Sequence, residues 1–600
     1  MPRPEEGGPR IEDFLRQWFH VPQEEGTSKV CSLTEAVSRH LSPGMSVHIG
    51  CTHGRPYALM NELMRQFWKK DPRFTLISLG FTGPMMALVR GGLARKCIST
   101  FYGDSYPTPG PNRVYQKAYK EGSVAFEHWS ILTLPLRLKA AAMGVAGLPT
   151  RSIRGSSMEG DNNESFSVVE DPFDKGKKIG MVRSLQPDIA LLHAWVADAN
   201  GNALFTPPYG EGFYGALASR NGLILSVERI VSTEFIRTHS HLVRIPGFVV
   251  RSVVEAPMGA HPSGVSSQGI PEMEAYADDY AFIEEARKAS HHPEKLDAWI
   301  SHWILEPRTQ EEYLQRLGRD RILFLKGKAR ADSWYAEILD HGRQMNWSAD
   351  HSAAERMIAV AARRMVKIVK EKGYRNILAG VGAANLASWL AYTTLRKEGY
   401  DVEVMAEIGF YGFAPRPADP FIFNYRNMPT CKMLSDIEMI MGHLVSGPCH
   451  QNLGAIGAGQ VDRQGNVNST AIPPHILLVG SGGANDVANG SNEVVVTVFQ
   501  EKARFLERVP YITSPGTSVR TVVSDMGVFE KQEGANELVL TGVFIDGPED
   551  NLLEKVGMVQ GQCGWELTVR DPLERIPPPD PIDLYLLRAY DPLGQFLGKD

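Results

Sequence analysis

The residue with the clearest chemical potential is Glu407, which directly follows a short apolar stretch, residues 402–406, interrupted only by Glu403. A turn with two glycines, residues 409–412, comes immediately after it. This pattern predicts a carboxylate at the carboxyl end of a parallel strand, where open α/β sheets bind their ligands. A carboxylate in that place can act as a nucleophile or as a general base.

Two glycine-rich runs of the same half supply a matching partner chemistry. Residues 480–486 read G-S-G-G-A-N-D, and residues 454–460 end in Gln460. Paired glycines let backbone N–H groups approach a ligand closely and point at negative charge. The same runs also fit ordinary tight turns between strands and helices. Beside a carboxylate, such donors suit acyl transfer from a thioester, because a thiolate is a good leaving group for a weak nucleophile.

The elements that must position these residues follow one plan in both halves of the chain. Ser32 with Glu35, and Ser352 with Glu355, each form the sequence pattern of a capping box at the start of a helix. An amphipathic segment, a short strand, a glycine-containing turn and a second helix follow in each half. The chain is therefore expected to contain an internal repeat.

Two shared motifs strengthen the repeat. G-F-x-G occurs at Gly80 and at Gly409, and D-x-x-G-N occurs at Asp198 and at Asp462. The motifs lie further apart in the first half, which places an insertion between residues 106 and 178. Aspartate, glycine and asparagine in the second motif predict a turn.

The repeat makes Ser78 and Glu407 equivalent, so only the second half has a carboxylate at this strand end. Strands alternating with helices predict an α/β fold, with two tandem, structurally related α/β domains and largely parallel sheets. We expect residues 1–345 to form the first domain, with a helical C-terminal region from Ile270 to about Arg343. Residues 346–600 are expected to form the second domain, which carries Glu407 and, after Ile576, an extended C-terminal arm.

Composition excludes several classes of protein. The 600 residues are 43% hydrophobic and 22% charged, with a net charge of −6, which argues against a nucleic-acid partner. No run reaches the roughly 18 apolar residues of a membrane helix, and residues 1–9 lack the apolar core of a secretory signal. The six cysteines are scattered without a C-x-x-C pair. We therefore expect a cytoplasmic protein with no metal site and no membrane partner.

Several stretches together resemble the class I CoA-transferase family, in its glutaconate CoA-transferase-like branch. The resemblance spans nearly the whole chain, from about Ser32 to Val569, and implies that A-type and B-type subunits are fused in one chain. The first half resembles the A-type subunits of the family, and the second half resembles the B-type subunits. The matching stretches are residues 136–151, 196–203 and 255–263 in the first half, and 406–409, 457–470, 480–486 and 508–516 in the second.

This resemblance implies ping-pong transfer of CoA between an acyl-CoA and a carboxylic acid. Glu407 matches the family's nucleophile, which forms an acyl–glutamyl anhydride and then a glutamyl-CoA thioester. Gln460 matches an oxyanion donor, and the second donor matches either Gly482 or Gly483. CoA esters are then substrates, with no permanently bound cofactor and no metal.

The resemblance also implies a cleft for CoA or substrate between the halves, formed by one glycine turn from each. Phe410 and Tyr411 are bulkier than the residues expected after the nucleophile, and they either shape the acyl pocket or pack in the core. The residues expected in this cleft are Gly50, His53, Gly54, Gly380, Val381, Gly382, Gly409, Phe410 and Tyr411.

Other outcomes remain open on the same fold. An acyl-CoA hydrolase, ring-opening or thioesterase, would place water beside Glu407, and an acyltransferase of specialised metabolism would use a hydroxyl or amine acceptor. Relatives that decarboxylate replace the glutamate with cysteine, so its presence argues against that reaction. A binding module without catalysis is the alternative from a different class. We also expect a homo-oligomer, the usual state of such enzymes.

Overall fold

The computed structural model describes residues 10–50, 53–267, 270, 272–343, 345–448 and 451–598. Residues 1–9, on which the expectation about a secretory signal depends, lie outside this range, as do Cys51 and Thr52 of the first glycine turn. The described part of the chain contains no helix with the length and apolar character needed to cross a membrane.

The first half builds one large sheet and one small one. In the large sheet the strands follow the order β11-β9-β8-β1-β2-β3-β4, with β10 between β8 and β12. All of its pairs are parallel except those made by β9 with β8 and β11. The strands are β1 (Ser46–Ile49), β2 (Phe74–Ile77), β3 (Ala94–Ser99), β4 (Ala125–His128), β5 (Gly147–Thr150), β6 (Phe166–Glu170), β7 (Lys178–Arg183), β8 (Ile189–Asp198), β9 (Ala203–Leu204), β10 (Leu223–Val231), β11 (Val243–Ile245) and β12 (Val250–Glu255).

The second half builds one large sheet, with the strand order β16-β15-β14-β13-β17-β22-β24-β25-β26-β27, and two small sheets, β19-β18-β23 and β20-β21. In the large sheet the pairs from β14 across to β24 and the pair β26–β27 are parallel, and the other pairs are antiparallel. The strands are β13 (Asn376–Leu378), β14 (Glu403–Ala406), β15 (Phe410–Tyr411), β16 (Met433–Leu434), β17 (Asn452–Gly457), β18 (Gln460–Asp462), β19 (Val467–Asn468), β20 (Ala471–Ile472), β21 (Ile476–Leu477), β22 (Glu493–Thr497), β23 (Phe505–Leu506), β24 (Val519–Val523), β25 (Gly527–Lys531), β26 (Leu538–Phe544) and β27 (Val569–Ile576).

Helices cover both large sheets. The longest one, α15, buries one apolar face against the second sheet, and α16 packs beside it. The helices are α1 (Ile11–Phe19), α2 (Leu33–His40), α3 (Tyr57–Phe67), α4 (Met86–Arg90), α5 (Arg113–Glu121), α6 (Thr133–Ala142), α7 (Ser157–Asp161), α8 (Gly212–Ala218), α9 (Thr233–Thr238), α10 (Tyr280–Ser290), α11 (Pro293–Ile300), α12 (Gln310–Leu317), α13 (Arg319–Lys328), α14 (Ser333–Gly342), α15 (Ala353–Lys372), α16 (Ala383–Lys397), α17 (Ala484–Gly490), α18 (Leu552–Gly561) and α19 (Pro581–Tyr590).

The architecture confirms the predicted α/β class with two related, largely parallel sheets. Both predicted capping boxes form, with the serine hydroxyl accepting from the glutamate N–H three residues later. In both D-x-x-G-N turns the aspartate accepts hydrogen bonds from the backbone N–H and the side-chain amide of the asparagine. The region predicted to be helical, from Ile270 to about Arg343, carries α10–α14.

The end of the second half differs from the prediction. The chain after Ile576 was expected to be an extended arm, but α19 occupies residues 581–590. Pro581 stands at the first helical position, where its missing N–H costs no hydrogen bond. Tyr590 packs edge-on against Trp389 of α16, and Arg588 forms a buried ion pair with Glu355. The arm is therefore a docked helix.

Candidate active site

Glu407 lies in a tight hairpin turn at the end of β14. Ala406 and Phe410 form the last antiparallel pair of β14 and β15, so residues 407–409 make the turn itself. Gly409 has φ +126°, and a Cβ there would lie 2.5 Å from the carbonyl oxygen of Ser435. Glycine is thus required two residues after the carboxylate, which fixes the direction in which the turn presents Glu407.

The carboxyl group of Glu407 has an unusual electrostatic environment. The residue as a whole is only partly exposed. Burial of the carboxyl group and the nearby carboxylate of Asp486 raise its pKa, while a hydrogen bond from the backbone N–H of Gly483 lowers it, and the resulting pKa is about 8. Burial and like charge both disfavour the ionised form, as is common for groups that act in catalysis.

Gly483 supplies the backbone donor that faces this carboxyl group. A Cβ at position 483 would lie 1.9 Å from Oε2 of Glu407, so any side chain would displace the carboxylate. The N–H of Gly482 points elsewhere, because it donates to the carbonyl of Thr100 at 2.9 Å. Of the two glycines, 483 is the one whose amide lies beside Glu407.

Asp486 is a residue of this site to which the sequence analysis gave no role. It is fully buried and accepts from the hydroxyl of Ser130 at 2.6 Å and from the backbone N–H of Leu132 at 3.1 Å. Burial raises its pKa to about 6, against the lowering effect of these hydrogen bonds. The signal available in the sequence was its place three residues after Gly483, within the first turn of α17.

The first half holds the glycine-rich loop of the second half in place. Ile131 donates its N–H to the carbonyl of Gly482 at 2.9 Å, and Tyr102 donates to that of Val479 at 2.6 Å. The side-chain oxygen of Asn485 accepts from the N–H of Ile153 at 2.8 Å. The position of the Gly483 amide therefore depends on contacts from both halves.

Gln460 lies on β18, outside the large sheet. Its amide nitrogen donates to the carbonyl of Ala503 at 3.0 Å, and its amide oxygen accepts from Asn468 at 2.8 Å. No contact joins it to Glu407 among the described residues.

The glycine turn of residues 380–382 follows β13. A Cβ at Gly380 would lie 2.3 Å from the carbonyl oxygen of Ala455, and Gly382 has φ +93°. The ring of Phe596, near the C-terminus, stands 3.5 Å from the position of a Cβ at Gly382. The docked C-terminal segment therefore lies directly over this turn, while Val381 is partly buried within it.

The glycine turn of the first half, which includes Gly50, His53 and Gly54, contacts the site through the side chain of His53. Its imidazole stacks on the ring of Phe410, with centroids 6.2 Å apart and planes 18° from parallel. Burial and the charge of Arg55 lower the pKa of His53 to about 4. Gly50, at the end of β1, packs against Leu192 and has no room for a Cβ.

Gly54 and Tyr411 complete the predicted set. Gly54 has φ +66° and lies beside the same cavity as His53. Tyr411 alternates with Phe410 along β15 and therefore points to the other face of the sheet, toward Glu403 and Lys432. The structure thus places His53, Phe410 and Gly409 near Glu407, and it directs Tyr411 away.

The arrangement is a carboxyl group at a strand end, faced by a backbone N–H and set at the seam of two related α/β halves. It suits covalent or general-base chemistry on an acyl group. Among the described residues, no group of three or more histidine, cysteine, aspartate or glutamate side chains is arranged to hold a metal ion.

Comparison with known proteins identifies the family of the chain. The family model for coenzyme A transferase matches residues 30–256 and 437–544, more than half of the chain. The chain therefore belongs to the coenzyme A transferase family and is an enzyme. One polypeptide carries the counterparts of the A-type and B-type subunits that are separate proteins in several relatives.

Two relatives and one solved structure illustrate the similarity. The A-type subunit of glutaconate CoA-transferase from Acidaminococcus fermentans is 28% identical over 50% of this chain and 95% of its own length. The B-type subunit of 3-oxoadipate CoA-transferase from Pseudomonas knackmussii is 25% identical over 40% of this chain and 94% of its own. The solved structure is that of an acyl-CoA transferase (YdiF) from E. coli O157:H7. Its alignment covers 94% of this chain and 97% of the YdiF chain, with a TM-score of 0.63 and 16% identity, and shows that the two proteins share a fold.

Proposed function

We propose that the enzyme transfers CoA between an acyl-CoA and a carboxylic acid through a covalent glutamyl-CoA thioester on Glu407. The observation that supports this proposal most directly is the backbone N–H of Gly483 beside a Glu407 carboxyl group whose pKa is raised to about 8. A carboxyl group without a nearby donor would fit a structural role as well. With the donor, the site can hold both a nucleophile and the negative charge that its attack creates.

In the first step the Glu407 carboxylate attacks the thioester carbonyl of the acyl-CoA. A C–O bond forms and the carbonyl oxygen becomes an oxyanion, which accepts a hydrogen bond from the Gly483 N–H. The C–S bond then breaks, and CoA leaves as a thiolate. The product of this step is a mixed anhydride between the acyl group and Glu407.

In the second step the thiolate attacks the glutamyl carbonyl of the anhydride. The acyl group leaves as a free carboxylate, and Glu407 becomes a CoA thioester. A second carboxylic acid then attacks this thioester, and the same two steps in reverse deliver CoA to it. Gln460 is the proposed second oxyanion donor, through the amide N–H that Ala503 does not use.

A raised pKa favours this chemistry in two ways. A carboxylate that is poorly solvated in its own site is a stronger nucleophile than one in water. A more basic carboxylate also forms a more stable bond with the acyl carbon. The cost is that most Glu407 is protonated at neutral pH. The rate of the first step is therefore expected to rise with pH through about 8, where half of the carboxyl groups are ionised, and to level off above that pH.

Trapping of the covalent intermediate tests the proposal. The enzyme is incubated with each member of a panel of acyl-CoA thioesters, reduced with borohydride and digested, and the peptide containing Glu407 is analysed by mass spectrometry. Reduction of the Glu407 carboxyl to an alcohol is expected, because borohydride reduces a thioester but not a free carboxylate. Glu403, four residues earlier in the same peptide, is the internal control and stays unreduced.

The requirement for an acceptor separates transfer from hydrolysis. Release of CoA is followed with and without added short carboxylic acids, in the wild type and in Glu407→Gln. Sustained turnover that needs the acid, and is lost in the variant, supports transfer. Sustained release in water alone, with no reducible group on Glu407, would make the enzyme a hydrolase and refute the covalent route.

A further inference from the structure

A basic pocket lies where the two halves meet, on loops to which the proposed chemistry at Glu407 assigns no role. Its volume is about 570 Å³, and small-molecule sites typically measure about 300–1,000 Å³. The first half supplies its cationic side, and the second half supplies the opposite wall. The lining residues include Arg151, Arg154, Val168, Lys178, Asn489 and Pro515.

Hydrogen bonds between the halves hold the frame of this pocket. The N–H of Ser157 donates to the carbonyl of Ile512 at 2.8 Å, and the N–H of Ile512 donates to the hydroxyl of Ser157 at 2.9 Å. The N–H of Ile153 donates to the side-chain oxygen of Asn485 at 2.8 Å. The loop that carries both arginines is therefore fixed against the second half.

The three cationic side chains of the pocket have no anionic partner. Arg151, Arg154 and Lys178 are exposed and form no ion pair among the described residues. Arg154 donates to the carbonyl of Lys178 at 2.8 Å, which holds its guanidinium on the pocket wall. The charged groups of Arg151 and Lys178 make no hydrogen bond within the described part of the chain. In a chain whose net charge is −6, such a cluster creates a local field that attracts anions.

Two carboxylates count against these cations. Glu159 lies in the pocket wall, where its Oε2 accepts from the N–H of Gly155 at 3.0 Å. Glu170 is the cross-strand neighbour of Lys178 in β6 and β7, but the two side chains form no ion pair. Three cations and two carboxylates leave a net charge of +1. The pocket is therefore basic even when both acids are counted.

The remaining lining suits the other parts of a nucleotide. Guanidinium groups match the oxygens of phosphate in a two-pronged geometry. Val168 and Pro515 give the pocket an apolar wall on which a flat base can pack. The amide nitrogen of Asn489 donates to Asn485, and its amide oxygen accepts no hydrogen bond from the described chain. Cationic, apolar and amide groups thus lie around one space of small-molecule size.

We propose that this pocket binds an adenine nucleotide, whose phosphate groups are held by Arg151, Arg154 and Lys178. Two sources share this chemistry: the phosphorylated adenosine end of CoA, and a free nucleotide such as ADP. In the first case the inference rests on the proposed function and states which residues hold the charged end of its substrate. In the second case it adds a ligand that the transfer reaction does not use.

Calorimetric titration of the full-length enzyme with ADP and with CoA tests the proposal. The variants are Arg151→Gln and Lys178→Gln, because neither charged group takes part in the internal hydrogen bonds of the fold. Each is expected to weaken binding of the occupying ligand by about 10-fold, the effect of losing one charged hydrogen bond. The matched control is Lys175→Gln, an exposed lysine of the same segment that does not line the pocket and should leave both affinities unchanged.

Titration of ADP into enzyme saturated with CoA distinguishes the two sources. Competition between the ligands, with CoA weakened by both pocket variants, identifies CoA as the occupant. Simultaneous binding, with only ADP weakened, identifies a free nucleotide.

Three results would overturn the inference: no binding of either ligand, unchanged affinity for both ligands in both pocket variants, or equal weakening by Lys175→Gln. Borohydride trapping at Glu407 is a separate readout. A missing glutamyl thioester beside the expected binding data would refute the proposed function and leave the nucleotide pocket standing.

Discussion

Replacing Glu407 with glutamine should stabilise the protein at alkaline pH. The folded protein holds this carboxyl group at a pKa of about 8, whereas the ordinary value is 4.5. Between these values the folded state keeps a proton that the unfolded chain has released, so stability falls as the pH rises from 4.5 to 8. Above about pH 8 the buried carboxyl group is ionised in the folded protein, and the full loss in the free energy of unfolding is present. Glutamine has no charge to bury, so Glu407→Gln removes this loss.

The size of the effect follows from the same two values. Their difference of about 3.5 corresponds to about 5 kcal/mol at about 1.36 kcal/mol per pKa unit. Because the side chain is partly exposed, solvent screens part of this cost, and we expect about 2–3 kcal/mol. For a domain of about 250 residues this corresponds to a rise in the unfolding midpoint of about 5 °C.

Thermal unfolding followed by tryptophan fluorescence at about pH 5 and about pH 9, on either side of the raised pKa, provides the assay, and it needs no knowledge of the substrate. Glu407→Gln should match the wild type under the acidic condition and exceed it under the alkaline one. The control is Glu164→Gln, at an exposed position, which should change neither value. An equal midpoint for wild type and Glu407→Gln at both pH values would show that the carboxyl group ionises without an energetic cost, and the raised pKa of Glu407 would be refuted.

Three further variants test other parts of the site and fold. Asp486→Asn removes the like charge beside Glu407, so the rising limb of the pH–rate profile should move to lower pH by about one unit; an unmoved profile would contradict the coupling of the two groups. Gly483→Ala places a methyl group in contact with the carboxylate and should lower kcat by about 10²–10³, with little change in circular dichroism. Arg588→Met leaves Glu355 buried without its partner and should destabilise the second half by about 3–5 kcal/mol in urea unfolding, whereas a loss below about 1 kcal/mol would mean that α19 is not firmly docked.

The parts of the fold that depend on local patterns could be predicted from the sequence. The capping boxes at Ser32 and Ser352 need only residues three positions apart, and they form as expected. The strand before Glu407 was identifiable from its apolar run and the glycine turn after it. The docking of α19 was missed because the prolines before it suggested an extended chain, although Leu584 and Leu587 already had helical spacing.

The parts of the site that depend on long-range contacts could not be predicted. Asp486 acquires its role from Ser130 and Leu132, which lie 356 and 354 residues earlier in the chain. Nothing in the local sequence distinguishes the N–H of Gly482, which donates to Thr100, from that of Gly483. Such distinctions arise only when the two halves are assembled.

The joining of both halves in one polypeptide has a consequence for how the enzyme behaves on dilution. The loop bearing Gly483 is anchored by Thr100 and Ile131 of the first half, so the site exists only while the halves are together. A covalent connection keeps their effective concentration in the millimolar range, whatever the amount of enzyme present. The active site can therefore stay assembled at concentrations at which two separate subunits would dissociate. One polypeptide also supplies the two halves in equal numbers.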